Sequence, residues 1–213
     1  MLNLNPATLI SRIITLLIAF SVHEFSHAYV ADSFGDDTPR MNGRLTLNPA
    51  VHLDLMGTLM LLFAGFGWAR PVPVNAYALQ RRSPAALMWV SLAGPLSNLA
   101  LALLAVIPLR AGLIPYRVSS GLFPTLYTFL IEFIIINLAL MLFNLIPLAP
   151  LDGEKVLQYF FPPSWANFMD KIRPYGPMIL LAILFVGPAI GLDFFGIFFT
   201  PVLSKLFHLL IGI

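Results

Sequence analysis

The chain has 213 residues, of which 59% are hydrophobic and only 10% are charged, and its formal net charge is +2. Soluble globular domains carry about 25% charged residues, so this composition predicts an integral membrane protein and excludes an ordinary soluble enzyme. The absence of cysteine excludes disulfides, thiolate catalysis and cysteine-ligated metal. The sequence has no basic block that could hold nucleic acid, and we expect no nucleic-acid partner.

The first hydrophobic segment predicts a long helix over about residues 7–33. Asn5-Pro6 precedes it and Gly35-Asp36-Asp37 follows it, which are typical start and stop signals. His23 and Glu24 interrupt the apolar run directly, and no small-residue cleavage site follows it. We therefore expect this segment to belong to the mature fold and not to a signal peptide.

The next part of the chain predicts irregular and short elements. Residues 43–49 alternate and contain threonine, which favours a short strand. Residues 55–66 are apolar but too few to span a hydrocarbon core of about 30 Å, so they predict a re-entrant half-helix. Residues 68–74 predict a second short extended segment, because Pro71 and Pro73 disfavour a helix.

The remaining hydrophobic runs predict longer helices. Residues 85–109, 122–146 and 175–190 are the clearer spans, residues 194–211 form a sixth hydrophobic element, and residues 151–161 predict a short interfacial helix. The predicted fold class is an all-α polytopic membrane protein with about five to six hydrophobic helices, a re-entrant half-helix and short extended segments. We expect one domain over residues 1–213, with its core at about 9–161 and C-terminal helices at about 174–212.

The positive charges of the loops predict an orientation, because cytoplasmic loops carry more Lys and Arg. With residues 55–66 taken as a half-helix, the charges divide unequally. The more basic side, predicted to be cytoplasmic, carries Arg40, Arg44, Arg70, Arg81, Arg82, Lys155, Lys171 and Arg173. The opposite side, with the N-terminus, carries Arg12, Arg110 and Arg117.

The strongest local pattern is His23-Glu24-Phe25-Ser26-His27, an HExxH match on the first predicted helix. Residues i and i+4 lie on one helix face, so both imidazoles can bind one metal ion. Glu24 lies about 100° from His23 around the helix and can act as general base on a metal-bound water. The alternative is a buried hydrogen-bonded cluster, but ionisable groups in a membrane helix usually face a cavity or a partner.

A zinc ion needs at least one ligand beyond the two histidines. The further candidates are His52, Asp54, Asp152, Asp193 and His208. Asp152 follows a span that returns to the face near which His27 lies, so the two side chains can meet at one depth. Asp193 is predicted on the opposite side, and His208 is expected to be a packing or interfacial residue. The topology therefore favours Asp152.

Three motifs occur in order over roughly residues 9–161. They are His23-Glu24-Phe25-Ser26-His27, Gly94-Pro95-Leu96-Ser97-Asn98 and Asn144-Leu145-Ile146-Pro147-Leu148-Ala149-Pro150-Leu151-Asp152-Gly153. Together they resemble the site-2 protease family of intramembrane metalloproteases. The resemblance implies one zinc ion per chain held by His23, His27 and Asp152, with Glu24 as the base, and cleavage of transmembrane substrate helices.

The resemblance is to a minimal core form of that family, because no soluble stretch is long enough for a PDZ or CBS module. Two features depart from the family pattern. Glu154 and Lys155 follow Gly153, where the family often has a further glycine and a basic or histidine residue. No clear hydrophobic span precedes the HExxH helix, unlike in some family members.

Three further residues are candidates for substrate binding or catalysis. Asn98 can stabilise an oxyanion or pair with substrate backbone, or it can make a helix–helix hydrogen bond. Asn144 can bind the backbone of an unwound substrate, or it can cap its own helix. His52 can assist catalysis, whereas Asp54 is expected to cap the half-helix that follows it.

Two other function classes are compatible with these residues. A metal-binding membrane transporter needs ligands along a path through the bilayer, whereas the candidates here cluster near one face. A non-catalytic membrane scaffold has no use for Glu24, which binds nothing in the predicted site. We therefore predict an intramembrane zinc metalloprotease of the cell membrane that acts on transmembrane protein substrates, with its active site toward the cytoplasm.

Overall fold

The computed structural model of the protein describes residues 5–57, 60, 67–117 and 121–212. Regular structure within these residues is helical, and they contain no strand. The helices are α1 (Pro6–Ser33), α2 (Thr38–Met41), α3 (Pro49–His52), α4 (Ala76–Arg82), α5 (Ala86–Arg110), α6 (Leu126–Asn144), α7 (Asp152–Phe160), α8 (Pro163–Ile172), α9 (Gly176–Leu181), α10 (Gly187–Ala189) and α11 (Thr200–Ile211). A 3₁₀ turn (Arg173–Tyr175) and a π-helical turn (Ala182–Val186) join α8, α9 and α10, and a second π-helical turn (Phe195–Phe199) precedes α11.

Four helical stretches are long and apolar enough to cross a membrane. They are α1, α5, α6 and the continuous stretch Ser164–Ala189, and a shorter apolar helix, Phe195–Ile211, follows them. The prediction of an all-α polytopic membrane protein is thereby confirmed. The predicted spans at 7–33 and 85–109 each agree with the observed helix to within one residue at either end.

Several polar side chains at the start of α1 and along it bond to the backbone of the same helix. The Asn5 side chain accepts a hydrogen bond from the Ala7 N–H at 3.0 Å, which caps the helix start. Ser11, Ser21 and Ser26 each donate their hydroxyl to the carbonyl one turn earlier in the same helix. These local bonds allow hydroxyl groups to lie in a membrane-spanning helix, where an unsatisfied polar group is costly.

Helix α6 is shorter than the predicted span of residues 122–146. It begins at Leu126 because Thr125 caps it: the Thr125 hydroxyl accepts the Thr128 N–H at 3.2 Å. It ends at Asn144, three residues before Pro147, which cannot continue a helix. The remaining predicted residues form the connections on either side of the helix.

The core lies where α1, α5 and α6 pack on one another. Alanines at positions 102 and 105 of α5 allow close approach to α6, whose Ile134 and Leu138 are fully buried. Partly buried side chains of α11, including Leu206, cover the same cluster. Helix α7 packs against α5, so the helix that begins with Asp152 is attached to the same core.

The prediction of a strand over residues 43–49 is wrong. This segment turns, with the Thr46 N–H bonded to the Arg44 carbonyl at 2.9 Å, and the Asn48 side chain then caps α3. An antiparallel bridge joins Leu53 and Ala69, so the second extended segment pairs there with the residues after α3. The predicted half-helix at 55–66 lies mostly outside the described residues.

Candidate active site

Three side chains from distant parts of the chain converge between α1 and α7. The Nε2 atoms of His23 and His27 lie 3.0 Å apart, and each lies 3.2 Å from the same Asp152 oxygen, Oδ2. The two histidines lie one helical turn apart on α1, and Asp152 is the first residue of α7. Within the described part of the chain, this is the group of His and acidic side chains that could hold a metal ion.

His23 Nε2, His27 Nε2 and Asp152 Oδ2 form a triangle of atoms, which we call the triangle, and its geometry fits a zinc ion. Ligand atoms about 2.0–2.1 Å from a tetrahedral zinc lie about 3.3 Å from one another, close to the observed separations. Space beside the ligand atoms comes from Gly94 of α5, where a Cβ would collide with the Nε2 atoms of both histidines. Two imidazoles, one carboxylate and an open side toward the cavity are typical of a catalytic zinc site.

Residues of α5 orient both imidazoles through hydrogen bonds to Nδ1, the ring nitrogen that does not face the triangle. His27 Nδ1 lies 2.6 Å from the Val90 carbonyl, and His23 Nδ1 lies 2.6 Å from Asn98 Oδ1. Val90, Gly94 and Asn98 follow one another at four-residue spacing, so they lie on one face of α5. A carbonyl oxygen can only accept, so His27 carries its proton on Nδ1, and its Nε2 lone pair faces the triangle.

Asn98 is itself held by a second amide that the sequence analysis missed. Asn98 Nδ2 donates to Asn137 Oδ1 at 2.9 Å, and Asn137 Nδ2 donates to the Phe133 carbonyl at 2.9 Å. Both asparagines are fully buried. The signal available in the sequence was an amide in the middle of an apolar span, a feature that marks interhelical or functional contacts.

Asp152 reaches the histidines because the chain packs tightly just before and after it. A Cβ on Gly153 would collide with the carbonyl oxygens of Leu145 and Ile146, so only glycine allows this approach. Burial raises the pKa of the Asp152 carboxyl, but the adjacent His27 and His23 rings lower that pKa more, and the net shift is downward. A metal ligand must be deprotonated, and a downward shift is in the direction that metal binding requires.

Glu24 lies beside the triangle and contacts a different part of the chain. Its Oε2 accepts a hydrogen bond from the Val72 N–H at 3.1 Å. Val72 belongs to residues 67–75, an extended segment that we call the strap and that lines the same cavity as the triangle. This bond fixes one carboxylate oxygen, and within the described residues Oε1 accepts no hydrogen bond.

Arg44 holds the middle of the strap. Its guanidinium donates to the Val51 carbonyl at 2.6 Å, the Arg70 carbonyl at 3.2 Å and the Pro71 carbonyl at 3.3 Å. Burial lowers the pKa of Arg44 from its ordinary value, yet an arginine stays charged at neutral pH. This buried cation therefore fixes the residues that directly precede Val72.

Both ends of the strap are anchored as well. At its start, the Arg70 N–H donates to the His52 carbonyl at 2.7 Å, next to the bridge between Leu53 and Ala69. At its end, the Asn75 N–H donates to Oδ2 of the buried Asp36 at 2.7 Å. The position of Val72 is consequently set by contacts on both sides of it.

A cavity of about 490 Å³ opens over the triangle. Its volume is in the range of small-molecule and peptide sites. Glu24, Asn144 and Lys155 contribute polar groups beside the triangle, and the walls are otherwise largely apolar. The apolar wall includes Phe20, Val90, Leu140, Phe143, Leu180 and Leu181.

The other predicted site residues lie in different places. Asn144 lines the cavity, and its Nδ2 donates to the Leu140 carbonyl of its own helix at 3.0 Å. His52 is fully buried outside the cavity lining, and its Nε2 donates to the Thr46 carbonyl at 2.7 Å. Asp54 Oδ1 accepts the Gly57 N–H at 2.8 Å. These contacts leave His52 and Asp54 outside the ligand triangle.

The two remaining candidates for a third ligand also lie away from the triangle. Asp193 Oδ1 accepts the Gly196 N–H at 2.8 Å. His208 Nδ1 lies 2.6 Å from the Ser204 carbonyl on α11. Among the candidates from the sequence, only Asp152 joins the two histidines in the described structure.

The residues that depart from the family motif tie α7 to the next helical stretch. Glu154 is buried, and its Oε1 accepts from Nε and Nη2 of Arg173 at 3.1 and 2.6 Å. Lys155 lines the cavity one helical turn after Asp152. Glu154 thus has a structural partner in the stretch Ser164–Ala189.

Comparison with known proteins identifies the family. The chain is 44% identical over 180 residues to a Bacillus subtilis (strain 168) protein named "Putative zinc metalloprotease YwhC", a match that covers 83% of this chain and 80% of that protein. The chain belongs to the site-2 protease family. Site-2 protease relatives from Mycobacterium tuberculosis and Mycolicibacterium smegmatis, both named "Putative zinc metalloprotease Rip2", are each 30% identical, over 85% and 84% of this chain and 68% of their own length.

No family model matches the chain, and no solved structure matches it with significance. Membership in the site-2 protease family makes the protein a metalloprotease and confirms the resemblance seen in the three motifs. The first and third of those motifs supply the triangle, and the second supplies the α5 face behind it.

Proposed function

We propose that this protein is an intramembrane zinc metalloprotease that hydrolyses peptide bonds of transmembrane substrate helices. The observation that carries the proposal is the triangle of His23, His27 and Asp152, which shares one cavity with Glu24 among membrane-spanning helices. The names of the relatives support zinc as the metal. We propose one ion per chain, because the described residues contain one such group of ligands.

Glu24 is the proposed general base. When bound at the triangle, zinc would acidify a water molecule and polarise the scissile carbonyl. The Val72 N–H holds Oε2 of Glu24, so Oε1 would be the atom that takes a proton from the attacking water and delivers it to the leaving amine. The largely apolar walls limit the amount of water around these groups and strengthen their electrostatic interactions.

The polar residues around the cavity suggest how substrate is held. A substrate helix must unwind locally before its peptide bond is accessible, and its freed backbone groups then need partners. Asn144 is our proposed partner, since it lines the cavity and uses only its Nδ2 in an observed bond. Both ends of the Asn98 amide are occupied by His23 and Asn137, which supports the helix–helix role of Asn98 over an oxyanion role.

The loop charges support a proposal for the location of the site. We propose a single transmembrane protease domain in the cell membrane, with the site toward the cytoplasm, on the basis of the Lys and Arg excess predicted for that side. Of the arginines on that side, Arg70 belongs to the strap and Arg44 donates to two of its carbonyls. Water would therefore enter the cavity from the cytoplasmic face.

The test compares purified wild type with Glu24→Gln for zinc content and for cleavage of a transmembrane substrate. Both should bind about one zinc per chain, and cleavage by the variant should fall by about 10²–10⁴-fold, as expected for loss of a general base. Zinc in both proteins with equal cleavage would remove Glu24 from the mechanism. Absence of zinc from both after reconstitution would contradict the metal site.

A further inference from the structure

The two imidazoles of the triangle obtain the same orientation by different means. His27 Nδ1 faces a backbone carbonyl, that of Val90, directly. His23 Nδ1 faces Asn98 Oδ1, and an amide can present either an oxygen acceptor or an NH₂ donor. The tautomer of His23 is therefore undetermined by Asn98 alone, because a flipped Asn98 amide would place a donor in front of Nδ1.

The bond to Asn137 determines which end of the Asn98 amide, Oδ1 or Nδ2, faces His23. The Phe133 carbonyl can only accept, so the Asn137 atom that lies 2.9 Å from it must be Nδ2. Asn137 then presents Oδ1 to Asn98, so Asn98 must present Nδ2 at 2.9 Å, and its Oδ1 is left for His23. This sequence of donors and acceptors follows from chemistry and needs no observed hydrogen positions.

We infer that Asn137 is a positioning residue that fixes His23 in its metal-binding tautomer, acting through Asn98. The inference rests on the proposed function, since it assigns to Asn137 a role at the proposed zinc site. With Nδ1 protonated, the Nε2 lone pair of His23 faces His27 Nε2 and Asp152 Oδ2. With the opposite tautomer, an N–H would point into the space where the metal binds.

Burial makes the orientation of the Asn98 amide depend on Asn137. Asn98 and Asn137 are each 0% exposed, so water cannot replace a missing partner. Without the Asn137 oxygen, Asn98 Nδ2 keeps only the Ala19 carbonyl at 3.5 Å, and the amide can flip to donate to His23. The flip would favour the His23 tautomer that does not bind zinc through Nε2.

The experiment measures zinc affinity by competition with a chelator in detergent. Wild type is compared with Asn137→Leu, Asn98→Ala and the double variant. We expect Asn137→Leu to weaken zinc binding by about 10- to 100-fold, the usual effect of removing a group that orients a ligating histidine. In the Asn98→Ala background, the same substitution should cause no further loss, because Asn137 acts through Asn98.

The matched control is Leu138→Ala, at the neighbouring, fully buried position of α6. It should remove packing and lower the thermal stability of the protein, but it should leave zinc affinity unchanged. Unchanged zinc affinity in Asn137→Leu, or losses that add in the double variant, would overturn the inference alone. A wild type that binds no zinc would overturn the proposed function and the inference with it.

Discussion

His23, His27 and Asp152 belong to helices packed on one core, whereas the backbone that contacts Glu24 belongs to a strap without regular structure. On the side of the cavity formed by the triangle, which we call the metal side, the two histidines contact one face of α5, and one of these contacts is a buried amide. On the strap side, the partners are backbone groups held by Arg44 and by buried or loop residues at either end. One cavity is thus assembled from two kinds of support.

The difference separates metal binding from proton transfer. A change on the α5 face moves ligand atoms and should alter zinc affinity together with activity. A change in the strap moves the partner of Glu24 and should alter activity while zinc remains bound. Three substitutions test this separation, in order of decreasing expected effect.

Gly94→Ala should break the metal side. The added Cβ would collide with Nε2 of both histidines, so we expect loss of zinc and loss of detectable cleavage. In most helix interiors, the same change stabilises by roughly 0.5–1 kcal/mol, so destabilisation of the helix itself is not the cause. Zinc content and cleavage are measured together.

Ser97→Ala is the control for this substitution. Ser97 lies one turn further along α5, and its hydroxyl bonds to the Gly94 carbonyl of the same helix at 2.7 Å. It should keep zinc and activity close to those of wild type, because the lost bond lies within α5 and contributes only about 1 kcal/mol to stability. Zinc binding by Gly94→Ala at wild-type affinity would show that the α5 face does not limit the metal site.

Val72→Pro should sharpen the comparison on the strap side. Pro71 and Pro73 flank Val72, so a third proline suits the local backbone and mainly removes the N–H that bonds Glu24 Oε2. A hydrogen bond to a charged group contributes about 1.5–3 kcal/mol, which corresponds to a fall in kcat of about tenfold or more. Zinc content should not change.

Val72→Ala separates the lost N–H from the lost side chain, since it keeps the donor. Its kcat should stay close to that of wild type. If Val72→Pro lost zinc in parallel with activity, the two sides of the cavity would not be separable. If both variants lost activity equally, the side chain and not the N–H would be responsible.

Asp36→Asn should have the smallest effect. Oδ1 and Oδ2 of Asp36 accept the N–H groups of Thr38 and Asn75, and an amide can accept only one of them. We expect a loss of about 1–3 kcal/mol in the free energy of unfolding and a fall in kcat of a few-fold, with zinc retained. Asp37→Asn makes the same change of charge at an exposed neighbour and should be neutral. Equal effects of the two variants would assign the loss to charge and not to the strap anchor.

The long helices and the two histidines of the triangle were predictable because each rests on a local pattern. The apolar run and its end signals placed α1 within one residue, and the four-residue spacing placed His23 and His27 on one face. Asp152 required a topological argument, and the observed 3.2 Å contacts with both histidines agree with it.

The contacts of the strap and the bond between Asn98 and Asn137 were not predictable from local patterns. The alternation at residues 43–49 favoured a strand, but the buried guanidinium of Arg44 bonds three carbonyls in other segments, which no periodicity encodes. In the sequence, Asn137 is one polar residue within an apolar span. Its role depends on a bond to Asn98, which lies on another helix and is not near it in sequence. Interactions between segments distant in sequence decided both cases.

The pair formed by Glu154 and Arg173 links one wall of the cavity to the helix that begins with Asp152. Arg173 lies at the start of the turn that leads to Pro177, Leu180 and Leu181, all of which line the cavity. Glu154 lies two residues after Asp152 on the same helix. If this wall moved outward to admit a substrate, either the buried Glu154 carboxylate would lose its bonds to Arg173 or α7 would move with the wall. Entry from that direction would therefore be mechanically coupled to the position of Asp152.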